Sequence, residues 1–313
     1  MARVLCDSSL PFERIRDILA GPALDVEFAA PPWSGDDVAG LLSFNTVTAE
    51  DLARLPSLRV ISTPSVGFEH LDVAAATERG VWVCNVPDYC VDEMADHALA
   101  LLLALVRGIV ELDRSVREGH WDHAAAGALR RIADVRLGVI GFGRVGRALS
   151  SRALALGMDV AAYDPLVADE EIAAAGVRAS RLDELLATSD AVSVHAPLTT
   201  ETRGLIGAAE LARLPADALV VNASRARLVD TTALLEALRS GHLGGAALDV
   251  LDVEPPSPEA PAPAARRLVV NPHAGWYSER AEEEVFVRAA ESVRDVLEGR
   301  RPRGAVNEPL PRW

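Results

Sequence analysis

The sequence predicts an α/β protein built from two doubly wound parallel sheets, and three observations point there. Short β-like runs alternate with helical patterns over all 313 residues, the pattern of parallel strands covered by helices. Half of the residues are apolar, enough to bury two cores at roughly 100–200 residues per domain. A glycine-rich turn at residues 141–146 follows a strand-like run and opens a helix.

In the first hundred residues, strands are expected at Val4–Cys6, Val26–Phe28, Leu41–Phe44, Val60–Thr63 and Val81–Val83. Helices are expected between them at Phe12–Ala20, Ala49–Leu55 and Val73–Arg79, with Pro and Gly marking the ends. Asp92–Glu118 reads as one helix whose centre, Ala98–Val106, is apolar on every side. Such a helix must be buried, in a domain junction or a subunit interface. It marks the first domain boundary.

The second half reads as strand Arg136–Ile140, helix Arg144–Leu156, strand Asp159–Tyr163, helices near Asp169–Ala175 and Leu182–Thr188, and strand Ala191–His195. A helix near Ala208–Leu214, strand Ala218–Asn222, helix Thr231–Ser240 and strands Gly245–Val250 and Leu268–Val270 follow. Two linked mononucleotide-binding halves have this pattern. Glu254–Pro263 carries five prolines and no apolar periodicity, so a surface loop is expected. The last helix, near Glu279–Glu298, is expected to return to the first domain. The expected division is residues 1–97 with 280–313 as one domain, and residues 98–279 as a nucleotide-binding domain inserted into it.

Lys and Arg number 31 against 46 Asp and Glu, a formal charge of −15. That balance disfavours phosphate backbones and anionic membranes, which call for Lys and Arg, and leaves small molecules as partners. The nine-residue apolar run is far short of the ~20 that span a bilayer. No signal-peptide pattern precedes Arg3-Val4-Leu5-Cys6. Cys6, Cys84 and Cys90 are too few and too scattered for a disulfide framework or a metal site, which suggests a reducing cytoplasm. His120 and His123 lack a third ligand and read as a solvated loop, so no metal is expected.

Gly141, Phe142, Gly143, Arg144, Val145 and Gly146 form a G-x-G-x-x-G turn after the strand ending at Ile140. One glycine turns tightly, one admits a pyrophosphate to the backbone, and one lets helix and strand pack closely. Asp164 follows the next strand, eighteen residues after Gly146, where a carboxylate binds ribose hydroxyls. The same carboxylate repels a 2′-phosphate and no Arg follows it, so NAD is favoured over NADP.

Three later segments place charge at the carboxyl ends of strands: Asn222-Ala223-Ser224-Arg225, Asp249 to Glu254, and Asn271-Pro272-His273-Ala274-Gly275-Trp276. Singly, each reads as an ordinary surface or loop feature. In this order behind the nucleotide fingerprint, the chain resembles the D-2-hydroxyacid dehydrogenase family from Leu58 to the last helix. Within it, Pro272–Glu279 and Gly141–Gly146 are most similar to the C-terminal-binding protein group. The resemblance implies a Rossmann NAD domain inserted into a flavodoxin-like substrate domain, and an enzyme that interconverts 2-oxo and D-2-hydroxy acids.

It implies that Arg225 binds the substrate carboxylate and polarises the 2-oxo group, with a planar fork suited to a carboxylate. His273 is implied as the acid/base, and Glu254 as the partner that orients it and favours the imidazolium. Ile140 to Gly146, Asp164, His195, Ala196, Thr202, Ala223, Ser224, Arg225, Asp249, His273, Gly275 and Trp276 are implied around the dinucleotide. Ser65, Val66 and Gly67 match the substrate loop, joined by Arg225, His273 and Trp276. An acid/base role for His195 is disfavoured, because the resemblance sets it beside the cofactor. Formate-oxidising relatives carry an amide where Glu254 stands, so a 2-hydroxy or 2-oxo acid is the better substrate class.

Some positions depart from the family pattern. Ser65 replaces a usual Gly, and Thr63 an often basic residue, which weakens binding of acids with a second anionic end. Ala226 replaces a Gly; a site needing φ > 0 there would cost about 1 kcal/mol or more. Trp276 reads either as a wall for an apolar or thioether side chain or as a core residue. The alternative function is an NAD-sensing scaffold or co-repressor of the C-terminal-binding protein type. The charge of −15, and the expectation that no recruiting tail follows Trp313, disfavour it. A homodimer through the nucleotide domain is expected from the apolar helix and the resemblance.

Overall fold

The computed structural model describes residues 2–19, 24–259, 263–265 and 267–309. Ala20, expected to close the first helix, residues 260–262 of the proline-rich loop and Trp313 lie outside the described residues. The chain forms two compact units, Met1–Tyr89 with Ser278–Trp313, and Cys90–Tyr277. The expected divisions at 97/98 and 279/280 fall inside helices, which are single rods, and the units part just before each helix begins.

The first unit runs β1 (Ala2–Asp7), α1 (Phe12–Leu19), β2 (Leu24–Ala29), β3 (Val38–Leu42), α2 (Ala49–Ala53), β4 (Val60–Ser62), α3 (Val73–Glu78) and β5 (Trp82–Cys84). Its strands form one parallel sheet in the order β2-β1-β3-β4-β5, the flavodoxin-like order. The strand expected at Leu41–Phe44 is displaced: Val38, Gly40, Leu41 and Leu42 pair with β1, whereas Phe44 lies beyond the ladder and is exposed. Leu5, Trp33, Leu41, Leu52, Leu58 and Ile61 are buried in its core.

The second unit runs α4 (Val91–Arg107), α5 (Ile109–Arg117), β6 (Arg136–Ile140), α6 (Arg144–Ala155), β7 (Asp159–Tyr163), α7 (Asp169–Ala174), β8 (Arg178–Ala179), α8 (Leu182–Thr188), β9 (Ala191–Val194), α9 (Ala208–Leu211), β10 (Ala218–Asn222), α10 (Thr231–Arg239), β11 (Leu243–Leu248) and β12 (Leu268–Val270). The chain then re-enters the first unit as α11 (Glu279–Leu297). Ser278 caps α11 by accepting the Ala281 N–H at 3.0 Å, and its buried stripe of Ala281, Val285, Ala289 and Val293 covers β3 and β4.

The helix expected over Asp92–Glu118 is two helices. Gly108 takes φ +60, and a Cβ there would lie 2.7 Å from the Ala126 Cβ, so only glycine makes this break. Nor is Ala98–Val106 enclosed on every side within the chain. Leu101, Leu102 and Leu105 enter the core, while Ala100 is exposed and Leu99 and Leu103 are half-buried.

Seven parallel strands of this unit lie in the order β12-β11-β10-β9-β6-β7-β8. The two-residue β8 was not expected, being too short to show a period. Alternation builds both faces: Leu137, Val139, Leu219 and Val221 point to the layer holding α4, and Ile140, Val192, Val194 and Val220 to the opposite one. Among the described residues, no helix is long and apolar enough to cross a membrane.

Candidate active site

All groups discussed next, up to the loop at residues 63–70, belong to the second unit. In a parallel sheet every carboxyl end opens on one edge, and the order reverses between β6 and β9, where such sheets bind ligands. The turn leaving β6 is built tightly. Gly141 has φ +94 and donates its N–H to the Tyr163 carbonyl at 2.8 Å. A Cβ on Gly146 would lie 2.1 Å from the Gly141 oxygen, so the third glycine lets the helix approach the strand. Gly143, the N-cap of α6, carries no capping side chain, and nothing lies within 4 Å of where its Cβ would be. The first-turn N–H groups of α6 are therefore left for an anion, a fit to a pyrophosphate.

Asp164 stands at the end of β7. One oxygen accepts the Phe142 N–H at 2.8 Å and the other the Leu166 N–H at 2.9 Å. These bonds tie the carboxylate to the glycine turn and leave acceptor capacity for ribose hydroxyls. The side chains of Ile140, Phe142 and Ala223 are buried, so these residues can face a cofactor only through their backbone. Arg144 is exposed and Val145 half-buried on the opening turn of α6.

His195 follows β9. Its Nε2 lies 2.8 Å from the buried Ser193 hydroxyl, and burial pushes its pKa down to about 4. The ring is neutral at physiological pH and does not supply a proton. Ala196 leads into a loop knotted by Thr202, whose hydroxyl donates to the Pro197 carbonyl at 2.6 Å and accepts the Thr199 N–H at 2.7 Å.

Asn222, absent from the expected site set, organises the turn that presents Arg225. Its side chain donates to the Arg225 carbonyl at 2.9 Å and accepts the Ser224 N–H at 3.1 Å. The Ser224 hydroxyl donates to the Val194 carbonyl at 2.8 Å, joining the ends of β9 and β10. Arg225 donates from Nη1 to the Ser224 carbonyl at 2.8 Å. Ala226 begins a 3₁₀ turn and is not among the residues of positive φ, so the strain expected from its Cβ is absent.

His273 follows β12 with φ +54, an uncommon conformation for a residue other than glycine. Its Nδ1 is 2.6 Å from Glu254 Oε2, and Glu254 Oε1 accepts the Leu251 N–H at 2.6 Å. An ionised carboxylate only accepts, so Nδ1 carries a proton and Nε2 is the atom presented outward. Asp249, fully buried at the end of β11, accepts the N–H groups of Ala274 at 2.9 Å and Gly275 at 2.8 Å. Burial works to raise this carboxyl, but His97 and the two backbone donors outweigh it and hold it below the usual carboxylate range. Trp276 packs edge-to-face on Tyr277, ring centres 5.6 Å apart, and is half-buried. His97, on α4, was not anticipated; in the sequence it is only the polar residue before an apolar run.

In the first unit, the loop after β4 is closed on itself. Thr63 is buried and bonds Ser65 at 2.9 Å; the Ser65 hydroxyl donates to the Gly67 carbonyl at 2.6 Å. His70 Nε2 lies 3.2 Å from the Thr63 hydroxyl, and the Asn85 side chain donates to the Val66 carbonyl at 2.6 Å.

Residues 99–275 match the family model described as D-isomer specific 2-hydroxyacid dehydrogenase, NAD binding domain. The chain is 41% identical over 287 residues to the D-3-phosphoglycerate dehydrogenase of Mycobacterium leprae, covering 92% of this chain and 54% of that protein. It is 37% identical to the glyoxylate reductase of Korarchaeum cryptofilum, covering 87% of this chain and 83% of that protein. The D-lactate dehydrogenase of Aquifex aeolicus, solved with NAD and lactic acid, superimposes with a TM-score of 0.84 at 27% identity, covering 95% of this chain and 96% of that one. The chain spans about half the length of the phosphoglycerate dehydrogenases it matches. The nucleotide turn, the ordered strand ends and these matches agree, and the chain belongs to the D-isomer specific 2-hydroxyacid dehydrogenase family, whose cofactor is NAD.

Proposed function

We propose that the protein is an NAD-dependent reductase of small 2-oxo acids, working reversibly on the D-2-hydroxy acids, with Arg225, Glu254 and His273 carrying the chemistry. The observation behind this reading is the 2.6 Å His273–Glu254 bond at the carboxyl edge of the nucleotide-binding sheet. NAD, when bound, exchanges a hydride with C2 of the substrate. The remaining work falls to the chain. Arg225 holds the carboxylate and polarises the 2-oxo oxygen with its planar fork. His273 holds a proton at Nε2 and delivers it to that oxygen, and in the reverse direction takes it from the hydroxyl. Glu254 fixes the ring through Nδ1.

Asp249 holds the N–H groups of the two residues after His273, and Trp276, three residues beyond it, suits an apolar substrate side chain. Ser65–Gly67, in the first unit, matches the family's substrate loop. No Lys or Arg stands in residues 63–70, which argues for an acid without a second anionic group. We further propose a homodimer through the second unit, supported by the exposed Ala100, the part-exposed Leu99 and Leu103, and the exposed Ile109 and Trp121 that follow.

The purified protein should oxidise NADH with at least one member of a panel of 2-oxo acids, and His273→Ala should lower turnover about 100-fold or more with NADH affinity within about threefold. A protein stabilised by NADH against melting, yet neither stabilised nor turned over by any acid, would be a cofactor-sensing scaffold instead.

A further inference from the structure

We propose that His97 is a positioning residue for the reaction: from α4 it braces the buried Asp249 carboxylate, which in turn holds the backbone that carries His273. This rests on the acid/base reading of His273 given above. Nε2 of His97 is buried and lies 3.2 Å from Asp249 Oδ1, a close polar contact without the alignment of a hydrogen bond, and no other group among the described residues hydrogen-bonds it. The carboxylate is fully buried, where an ionised group persists only with several donors. Two of them are the N–H groups of Ala274 and Gly275, the peptide units directly after His273.

The fit around Gly275 leaves little play. A Cβ on it would lie 2.8 Å from Asp249 Oδ2, 3.1 Å from the His97 ring and 3.2 Å from Met94 Sδ. Met94 and His97 are three apart on α4 and share the face that rests on this glycine. His273 itself sits at φ +54, a conformation the surroundings must impose. Removing the His97 nitrogen leaves Asp249 Oδ1 without the polar side chain that lies against it. Its grip on the two amides then loosens, and His273 leaves the 2.6 Å geometry with Glu254. Misplacement on the scale of an ångström costs a catalytic group up to about 100-fold.

Three proteins decide the matter: wild type, His97→Leu, which keeps bulk without a donor, and His97→Gln, which restores a donor near the position of Nε2. With a 2-oxo acid that the wild type reduces, His97→Leu should lose about 10-fold or more in kcat, with KM for the acid and Kd for NADH within about threefold. His97→Gln should regain most of that loss. Hydrogen exchange of the Ala274 and Gly275 amides, measured without ligand, should quicken about 10-fold in the leucine variant and recover in the glutamine variant. Unchanged kcat and exchange in His97→Leu would overturn the proposal. So would a glutamine variant no better than leucine, with both falling in step with melting temperature. A wild type inactive with every acid would overturn the functional reading instead, and amide exchange would then decide whether the clamp exists.

Discussion

Acid should cost this protein stability through His195 well before its carboxylates titrate. The ring titrates near 6.5 in the unfolded chain and near 4 when folded, because burial disfavours the charged form. Between those values only the unfolded chain takes up the proton. The stability held by a neutral His195 is therefore complete above about pH 6.5, shrinks as the pH falls, and is gone below about pH 4. Integrating the linkage from about pH 7 to about pH 5 gives a loss on the order of 2 kcal/mol from this one group. The carboxyls of Asp7, Asp190 and Asp249 are depressed and add acid sensitivity lower on the scale. They are shared with a variant and cancel in the comparison. The assay is urea unfolding, followed by tryptophan fluorescence, of wild type and His195→Asn at both pH values; asparagine keeps a polar partner for Ser193. Wild type should lose about 2 kcal/mol more than the variant on acidification. Equal losses would mean that His195 titrates normally, and would reopen it as a proton donor.

Two further predictions follow from the nucleotide-binding unit. Gly146→Ala drives a methyl to 2.1 Å from a backbone oxygen that cannot rotate away, so the glycine turn must open; NADH affinity should fall about 10-fold or more, with a stability loss of about 1–3 kcal/mol seen as a lower melting temperature. Light scattering should give about twice the chain mass, and a mass of one chain would leave the apolar flank of α4 and α5 without the proposed partner.

The order and type of the large elements were legible because their signals are local. The strand-to-helix turn at Ile140–Gly146 shows in three glycines, and β6, β7 and β10 run over the residues whose apolar content marked them. Much of what escaped depends on partners far along the chain. The break at Gly108 is a left-handed C-cap bonded to Ala104 and Leu105, and a single glycine in an otherwise helical pattern does not distinguish such a cap from a tolerated helix residue. β3 is displaced because its ladder with β1 and β4 fixes the register, whereas apolar content alone extended it to Phe44. In the site, motifs pointed to His273, Glu254 and Arg225, the residues to which the proposed function assigns the chemistry. Asn222 and His97 act by hydrogen bonding or packing against neighbouring loops, and a single polar letter beside an apolar run does not distinguish such a role from a solvated surface.

An acidic protein that binds an anionic cofactor must also keep its own carboxylates from repelling it. Asp164, Asp249 and Glu254 all follow strands at the carboxyl edge of the nucleotide-binding sheet. Each accepts at least one main-chain N–H: Asp164 from Phe142 and Leu166, Asp249 from Ala274 and Gly275, and Glu254 from Leu251. Oriented backbone dipoles at hydrogen-bond distance offset part of each negative charge where it sits, without adding a titratable cation. The same bonds direct the charge. Asp164 turns toward the glycine loop, where a carboxylate would repel a 2′-phosphate, while Glu254 turns its remaining oxygen to His273. The positive potential at this edge can then come from few groups, the α6 N-terminus and Arg225 among them, although the chain as a whole carries −15.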